Sequence, residues 1–181
     1  MIEPIPGAGT AANLRAAFDR ARALPFVTEA GERSEDLLAI RVSGDAFAIR
    51  LGEVSGLAID RKVVAFPSPL PELLGISAIR GRLVPVYSLA ALLGYSAEAR
   101  QARWLALCDV EEPVGLSIGD FEGHIRVPAS NVYAASQGAE TAARIKYVVR
   151  SADTVREIVS IPIIIAMIQR RCRLDSEPEE R

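Results

Sequence analysis

The residues with most chemical potential are a serine and a histidine close together in the second half of the chain. Ser117 stands in Gly115-Leu-Ser-Ile-Gly119, a match to G-x-S-x-G, the elbow that presents a nucleophilic serine at a strand-to-helix turn. The single histidine, His124, follows shortly after, with Asp120 and Glu122 as the nearest acids. The surrounding pattern does not supply the elbow. Ser117 lies inside one strand-like run, and DFEGHIRV, which follows, reads as another strand rather than a helix. A serine hydrolase built on Ser117 is therefore the enzymatic alternative, and the residues favour a protein without catalysis. His124 with Cys108 and Cys172 cannot supply the closely paired ligands of a tetrahedral zinc site. Neither cysteine has a neighbouring histidine or charged helix start to lower its pKa. Glu111-Glu112 reads as a solvated turn, and no glycine-rich phosphate loop is present. No metal and no cofactor are expected.

With no reaction in view, surfaces carry the function. In Ser77–Gly94, SAIRGRLVPVYSLAALLG, an arginine pair split by glycine interrupts an apolar run. A glycine centred in the three-residue connection Arg80-Gly81-Arg82 predicts a tight hairpin between Ile76–Ile79 and Leu83–Tyr87. Arg82 is read as a solvated turn residue. Arg80 directly follows a buried-type strand, where its stem can cover apolar surface while its guanidinium meets a partner's carboxylate. It is the leading binding candidate.

The elements that would position this hairpin repeat along the chain. Residues 1–9 read as a flexible lead, and TAANLRAAFDRARALP has the helical spacing Leu14, Phe18, Ala21, stopped by Pro25. A polar linker, 28–36, makes this helix an arm. Leu38, Ile40, Val42 and Phe47, Ile49, Leu51 alternate around Ser43-Gly44-Asp45, a hairpin with one buried face. Val63–Phe66 reads as a further strand. Ser88 can cap a short helix, LAALL, ended by Gly94. Leu105–Ile118 then copies Leu38–Leu51 with both apolar registers kept at a constant offset, Leu38 to Leu105 and Leu51 to Ile118. Ile158-Val-Ser-Ile161 copies Val86-Tyr-Ser-Leu89, with Ser160 as cap and Pro162 at the first helical position. Two copies of a small strand unit, each ending in a short helix, predict two similar closed β-modules. The expected division is 1–35 arm and linker, 36–170 paired β-module domain, and 171–181 a charged, mobile tail.

Composition limits the partners. Half of the 181 residues are hydrophobic, enough for a real core, and the net charge is −2. A nucleic-acid-binding barrel needs a basic groove with exposed aromatics, and neither is visible. The longest apolar stretch, Ile161–Ile168, is too short for a membrane span, which takes ~20 residues. The opening MIEPIPGAGT has no basic or apolar leader segment. A cytoplasmic location is expected.

The stretch VVAFPSPLPELLGISAIRGRLVPVYSL resembles the CheW-like domain family of chemotaxis coupling proteins, whose run G-(V/I)-x-N-L-R-G-x-(V/I)-x-P-V is matched here by Gly75, Ile76, Arg80, Gly81, Val84, Pro85 and Val86. VGLSIGDFEGHIRVPASNV is similar to the family's V-G-(L/I)-x-V-D segment, and the resemblance runs from about Leu37 to about Ile168. It implies an all-β fold of two intertwined five-stranded barrels with short helices. It implies a non-catalytic adaptor that binds the cytoplasmic tip of chemoreceptors in the groove between the barrels. At barrel ends it would bind the regulatory domain of a CheA-type histidine kinase. By position, Val54, Gly75, Arg80, Gly81, Val84 and Gly115 would serve partner binding. The chain departs from the pattern at Ala78-Ile79, where the family has Asn-Leu, at Ser88 for its Asp, and at Gly56 for its glutamate. These departures bear on whether the partners are the standard receptor and kinase or a divergent set.

Overall fold

The computed structural model describes residues 33–96, 103–109, 112–135, 144–151 and 154–176. The expected arm helix before Pro25 and the last five residues lie outside them. The first hairpin joins β1 (Ser34–Val42) to β2 (Asp45–Arg50). Its turn has only two residues, Ser43 and Gly44, both with positive φ (50° and 91°). That is the type I′ geometry, whose twist matches that of paired strands. The chain continues through β3 (Gly56–Ile59), β4 (Leu73–Ile79), β5 (Arg82–Ser88) and a short helix α1 (Leu89–Leu93). The second half contributes β6 (Trp104–Asp109), β7 (Pro113–Ile118), β8 (Asp120–Pro128), β9 (Val132–Ala134), β10 (Ile145–Ser151), β11 (Thr154–Val159) and helix α2 (Ile161–Ser176).

The strands form two sheets that exchange hairpins. One sheet runs β8-β1-β2-β11-β10-β9 and the other β3-β6-β7-β5-β4. The first hairpin of each half thus sits among strands of the other half. The repeat read from the sequence reappears in the pairing. Ala48 of β2 lies opposite Ile158 of β11 in parallel register, and Gly115 of β7 lies opposite Val86 of β5.

Each sheet curls into a barrel because its edges are tied together. In a flat six-stranded sheet the edge strands would stand roughly 24 Å apart. β8 and β9 are joined by Ala129–Asn131 alone, a connection that spans roughly 14 Å at full stretch. In the second sheet, the chain leaving β3 at Ile59 is already bridged by Val64 to Ile76 of β4, at the opposite edge. We call the first barrel A and the second barrel B. Barrel B has the expected five strands; barrel A adds the three-residue β9, which pairs with Tyr147–Val149.

Three apolar cores result. Leu37, Ala48, Val127, Val149 and Ile158 fill barrel A; Ala58, Ile79, Val84, Val86, Leu105 and Leu107 fill barrel B. The third and largest core lies between the barrels. It takes the outer faces of both exchanged hairpins (Leu38, Ile40, Ile49; Ala106, Leu116, Ile118) together with Leu89 and Leu92 of α1 and Ile161, Ile164 and Ile168 of α2. β1 is therefore buried on both faces, where one was expected, since Leu37 points into barrel A and Leu38 into the shared core.

Several local readings change. Val63–Phe66 is not a strand; Val64 makes a single bridge, while Gly56–Ile59 supplies the strand. The tail begins later than residue 171, because α2 continues to Ser176. Arg171 pairs there with the buried Glu72 carboxylate, and Cys172 packs on the shared core with its Sγ 3.7 Å from the Tyr87 hydroxyl. Ser88 caps α1 through its Oγ, which accepts from Ala91 N at 3.2 Å, and Gly94 ends it at φ 95°. At α2 a distant side chain does the capping: Glu53 Oε2 accepts from Ile161 N at 2.9 Å. Pro162 falls one position inside the helix start. Among the described residues, no helix is long and apolar enough to cross a membrane.

Candidate docking surface on barrel B

The β4–β5 hairpin turns on two residues rather than three. Ile79 pairs with Arg82, so Arg80 and Gly81 alone form the turn, at φ 50° and 77°. Arg82 is thus the first residue of β5. Arg80 takes a left-handed conformation that costs a non-glycine residue roughly 1 kcal/mol. Its guanidinium lies back across the barrel end, 3.2 Å from where a Cβ on Gly56 would stand. Gly56, two positions after Val54, leaves room for it. Arg80 makes no ion pair among the described residues.

The outer face of this hairpin is apolar and open. Residues directly opposite in an antiparallel pair share a face. Ala78 faces Leu83, Ile76 faces Pro85, and Val64 bridges to Ile76 on the next edge. Leu83 is 75% exposed, Val64 58% and Phe66 57%. Arg61, Lys62, Arg80 and Arg82 are exposed around this strip, and none is in an ion pair among the described residues. An apolar strip rimmed by unpaired cations is suited to a protein partner that brings apolar side chains flanked by carboxylates.

The six residues singled out from the sequence separate into two groups. Arg80 and Gly81 are on the surface, and Val54 is half-buried against the shared core. Gly75, Val84 and Gly115 are buried. Gly75, at φ 143°, is approached by its own chain, since an added Cβ would stand 2.0 Å from the Val64 carbonyl oxygen. Val64 exchanges both backbone hydrogen bonds with Ile76 at this point, 2.8 and 2.9 Å. The close approach at Gly75 is therefore intramolecular, and it closes barrel B. Gly115 packs beside Val86, and Val84 points into barrel B. These three residues lie in the interior of barrel B rather than on its surface.

The hydrolase alternative finds no geometry. Ser117 lies within a barrel B strand, one residue before its end, paired with Leu105 and Ser88. His124 is on a barrel A strand, with Nε2 2.9 Å from Asp36 Oδ1. No helix follows β7, so the strained elbow is missing. Neither cysteine is in a disulfide. Burial, reinforced by the charges of Asp109 and Glu53, pushes the Cys108 thiol up to about 12. Among the described residues, no three His, Cys, Asp or Glu side chains are grouped to hold a metal ion.

Sequence reasoning passed over the charged ends of barrel A. There Arg41 and Arg156 share Glu122 at one mouth, and Arg50 pairs with Glu35 and Glu53 at the other while lying 4.7 Å over the Tyr147 ring. A signal was present in the alternation. Arg41 continues the inward register Leu37, Ala39, and Arg156 precedes Ile158 by two, so both fall on positions that face a barrel interior.

Comparison with known proteins agrees with the architecture. A solved structure of the scaffolding protein TtCheW from Thermoanaerobacter tengcongensis superimposes with a TM-score of 0.65 at 13% identity, covering 71% of this chain and 90% of that one. No curated protein matches the chain by sequence. The family description "CheW-like domain" matches residues 36–170, both barrels and most of α2. The chain belongs to the CheW-like domain family.

Proposed function

We propose that the protein is a non-catalytic adaptor in chemotaxis signalling, coupling chemoreceptors to a CheA-type histidine kinase through protein–protein contacts. The observation that carries this reading is the match to the CheW-like family across both barrels. It is supported by an exposed apolar strip on β4–β5 with Arg80 at its end, in no ion pair among the described residues. Arg80 is the anchor, Gly81 lets the turn present it, and Val54 adds a half-buried apolar contact. Gly75, Val84 and Gly115 hold the backbone behind the surface. The partners are the cytoplasmic tip of a chemoreceptor and the kinase's regulatory domain, and the place of work is the cytoplasm.

Arg80→Glu tests this directly. An exposed turn residue contributes little to stability, so the circular dichroism spectrum and unfolding midpoint stay within ~0.5 kcal/mol of wild type. Facing a partner's carboxylates, the reversed charge weakens binding at least tenfold, on the order of 2 kcal/mol or more. Co-elution with a receptor-tip fragment and with the kinase regulatory domain reads the effect. Unchanged co-elution with both would remove Arg80 from the interface.

A further inference from the structure

We propose that Gly56 is a positioning residue of the docking surface: lacking a side chain, it seats the Arg80 guanidinium across the mouth of barrel B and leaves its charge for a carboxylate brought by the partner. This rests on the reading of Arg80 as the anchor of that surface.

The backbone gives position 56 no reason to be glycine. Gly56 opens β3 directly opposite Leu107 of β6, and its φ is not positive. Glycine in a strand forgoes packing and costs backbone entropy, and it often marks a place that another group approaches closely. Here that group is a guanidinium. Among the described residues, chain neighbours aside, the one heavy atom within 4 Å of where a Cβ would stand is Arg80 Nη2, at 3.2 Å. Ala58, two residues on, and Leu107, opposite, both point into barrel B. Gly56 therefore faces the mouth of that barrel. β3 and β4 are the two edges of the sheet, so the Arg80 side chain, leaving the β4–β5 turn, reaches from one edge to the other.

Reach decides what a longer residue at this position would do. A Cβ would only nudge the far end of a flexible arginine. A glutamate would carry its carboxylate to the same N–H groups, and an Arg–carboxylate fork would hold Arg80 on its own barrel. In this chain Arg80 is exposed and in no ion pair among the described residues. Asp109, two residues past Leu107 at the same end of β6, is exposed and likewise in no ion pair among them. Gly56 is also one of the positions at which this chain departs from the family pattern, so the choice is its own.

The test uses the full-length protein, first alone and then with a receptor-tip fragment and the kinase regulatory domain. Alone, Gly56→Glu shifts the Arg80 Nε–Hε resonance, and the shift reverses as the introduced carboxyl is protonated. That carboxyl titrates at least ~0.3 pH unit lower than when Gly56→Glu is combined with Arg80→Gln. With partners, Gly56→Glu lowers affinity about fivefold or more, and the uncharged Gly56→Gln lowers it less than about twofold. Should Gly56→Glu fail to fold, Gly56→Asp carries the same readouts with a shorter reach. A titration indifferent to Arg80 overturns the proposal. So does an equal loss in Gly56→Gln, which would make bulk at the mouth the cause. Asp109→Asn leaves the wild-type Arg80 resonance in place; a shift there would give Arg80 an internal counter-ion and overturn the proposal as well. Wild type that binds neither fragment would overturn the adaptor reading and the anchor with it. Wild type that binds while Gly56→Glu binds equally well would overturn this proposal alone.

Discussion

Barrel A and barrel B arise from one repeated plan, yet they treat charge in opposite ways. Barrel A closes its mouths with internal ion pairs, Arg41 and Arg156 on Glu122 at one end and Arg50 on Glu35 and Glu53 at the other. In barrel B, Arg80 and Arg82 make no ion pair among the described residues and stand beside exposed Leu83, Val64 and Phe66. Its own surface pair, Arg103 with Asp60, is long at 3.5 Å and about two-thirds exposed on both sides, a kind worth little. A duplicated unit can therefore turn most of its charge inward in one copy and leave it facing outward beside apolar surface in the other.

The sharpest way to break this contrast is at Gly75. An added Cβ would overlap the Val64 carbonyl at a φ that side chains rarely adopt, so Gly75→Ala costs ~4 kcal/mol or prevents folding. Urea unfolding measures it. A loss below ~1 kcal/mol would mean that the bridge at Val64 does not close barrel B. Next come truncations in the apolar cores. Ile158→Ala inside barrel A and Leu116→Ala in the shared core each cost ~3 kcal/mol, and both leave one cooperative transition because the hairpins are exchanged. Two resolved transitions by fluorescence and circular dichroism would show the barrels to be separable. Gly44→Ala, at φ 91° with open space around it, costs only ~1 kcal/mol, and its comparison with Gly75→Ala separates backbone strain from collision.

The smallest effect is in acid. Arg126 and His124 hydrogen bonds hold the Asp36 carboxyl below its ordinary value, and at Glu122 burial raises the carboxyl but hydrogen bonds from Arg41 and Arg156 outweigh it and lower it. A carboxyl with a depressed folded-state pKa adds stability above its unfolded value, about 4, and loses it as pH falls through the folded one. Both groups are in barrel A. Asp36→Asn therefore lowers stability at pH 7 slightly and flattens the acid limb below about pH 4. A melting midpoint measured from pH 7 to 3 that is equally steep in variant and wild type would contradict this.

The parts of the structure legible in the sequence are those fixed by short-range pattern. Alternation located the β1–β2 and β6–β7 hairpins, and the Ser88 and Gly94 caps marked α1. Trp104 opens β6 at the edge of the shared core, tilted on Phe121 at 5.2 Å. The repeat foretold two modules. What local pattern could not carry was pairing between distant segments. Val63–Phe66 has strand composition but bends away after one bridge because Gly75 lets it approach only there. Arg80-Gly81-Arg82 looked like a three-residue turn, since nothing local shows that Arg80 accepts a positive φ. Arg41 and Arg156 were passed over, although their register points inward. Glu53 as the cap of α2 was out of reach, since it approaches Ile161 from another part of the chain.

Exchange of hairpins also sets an order of assembly. β2 pairs in parallel with β11, and β7 with β5. As the chain leaves the ribosome, barrel B owns all five strands once Ile118 has emerged. The first hairpin made, β1–β2, has an unfilled edge until Val159 appears. The first hairpin to be synthesised is thus among the last to complete its pairing, and for that interval its apolar faces depend on the nascent chain staying clear of other strands.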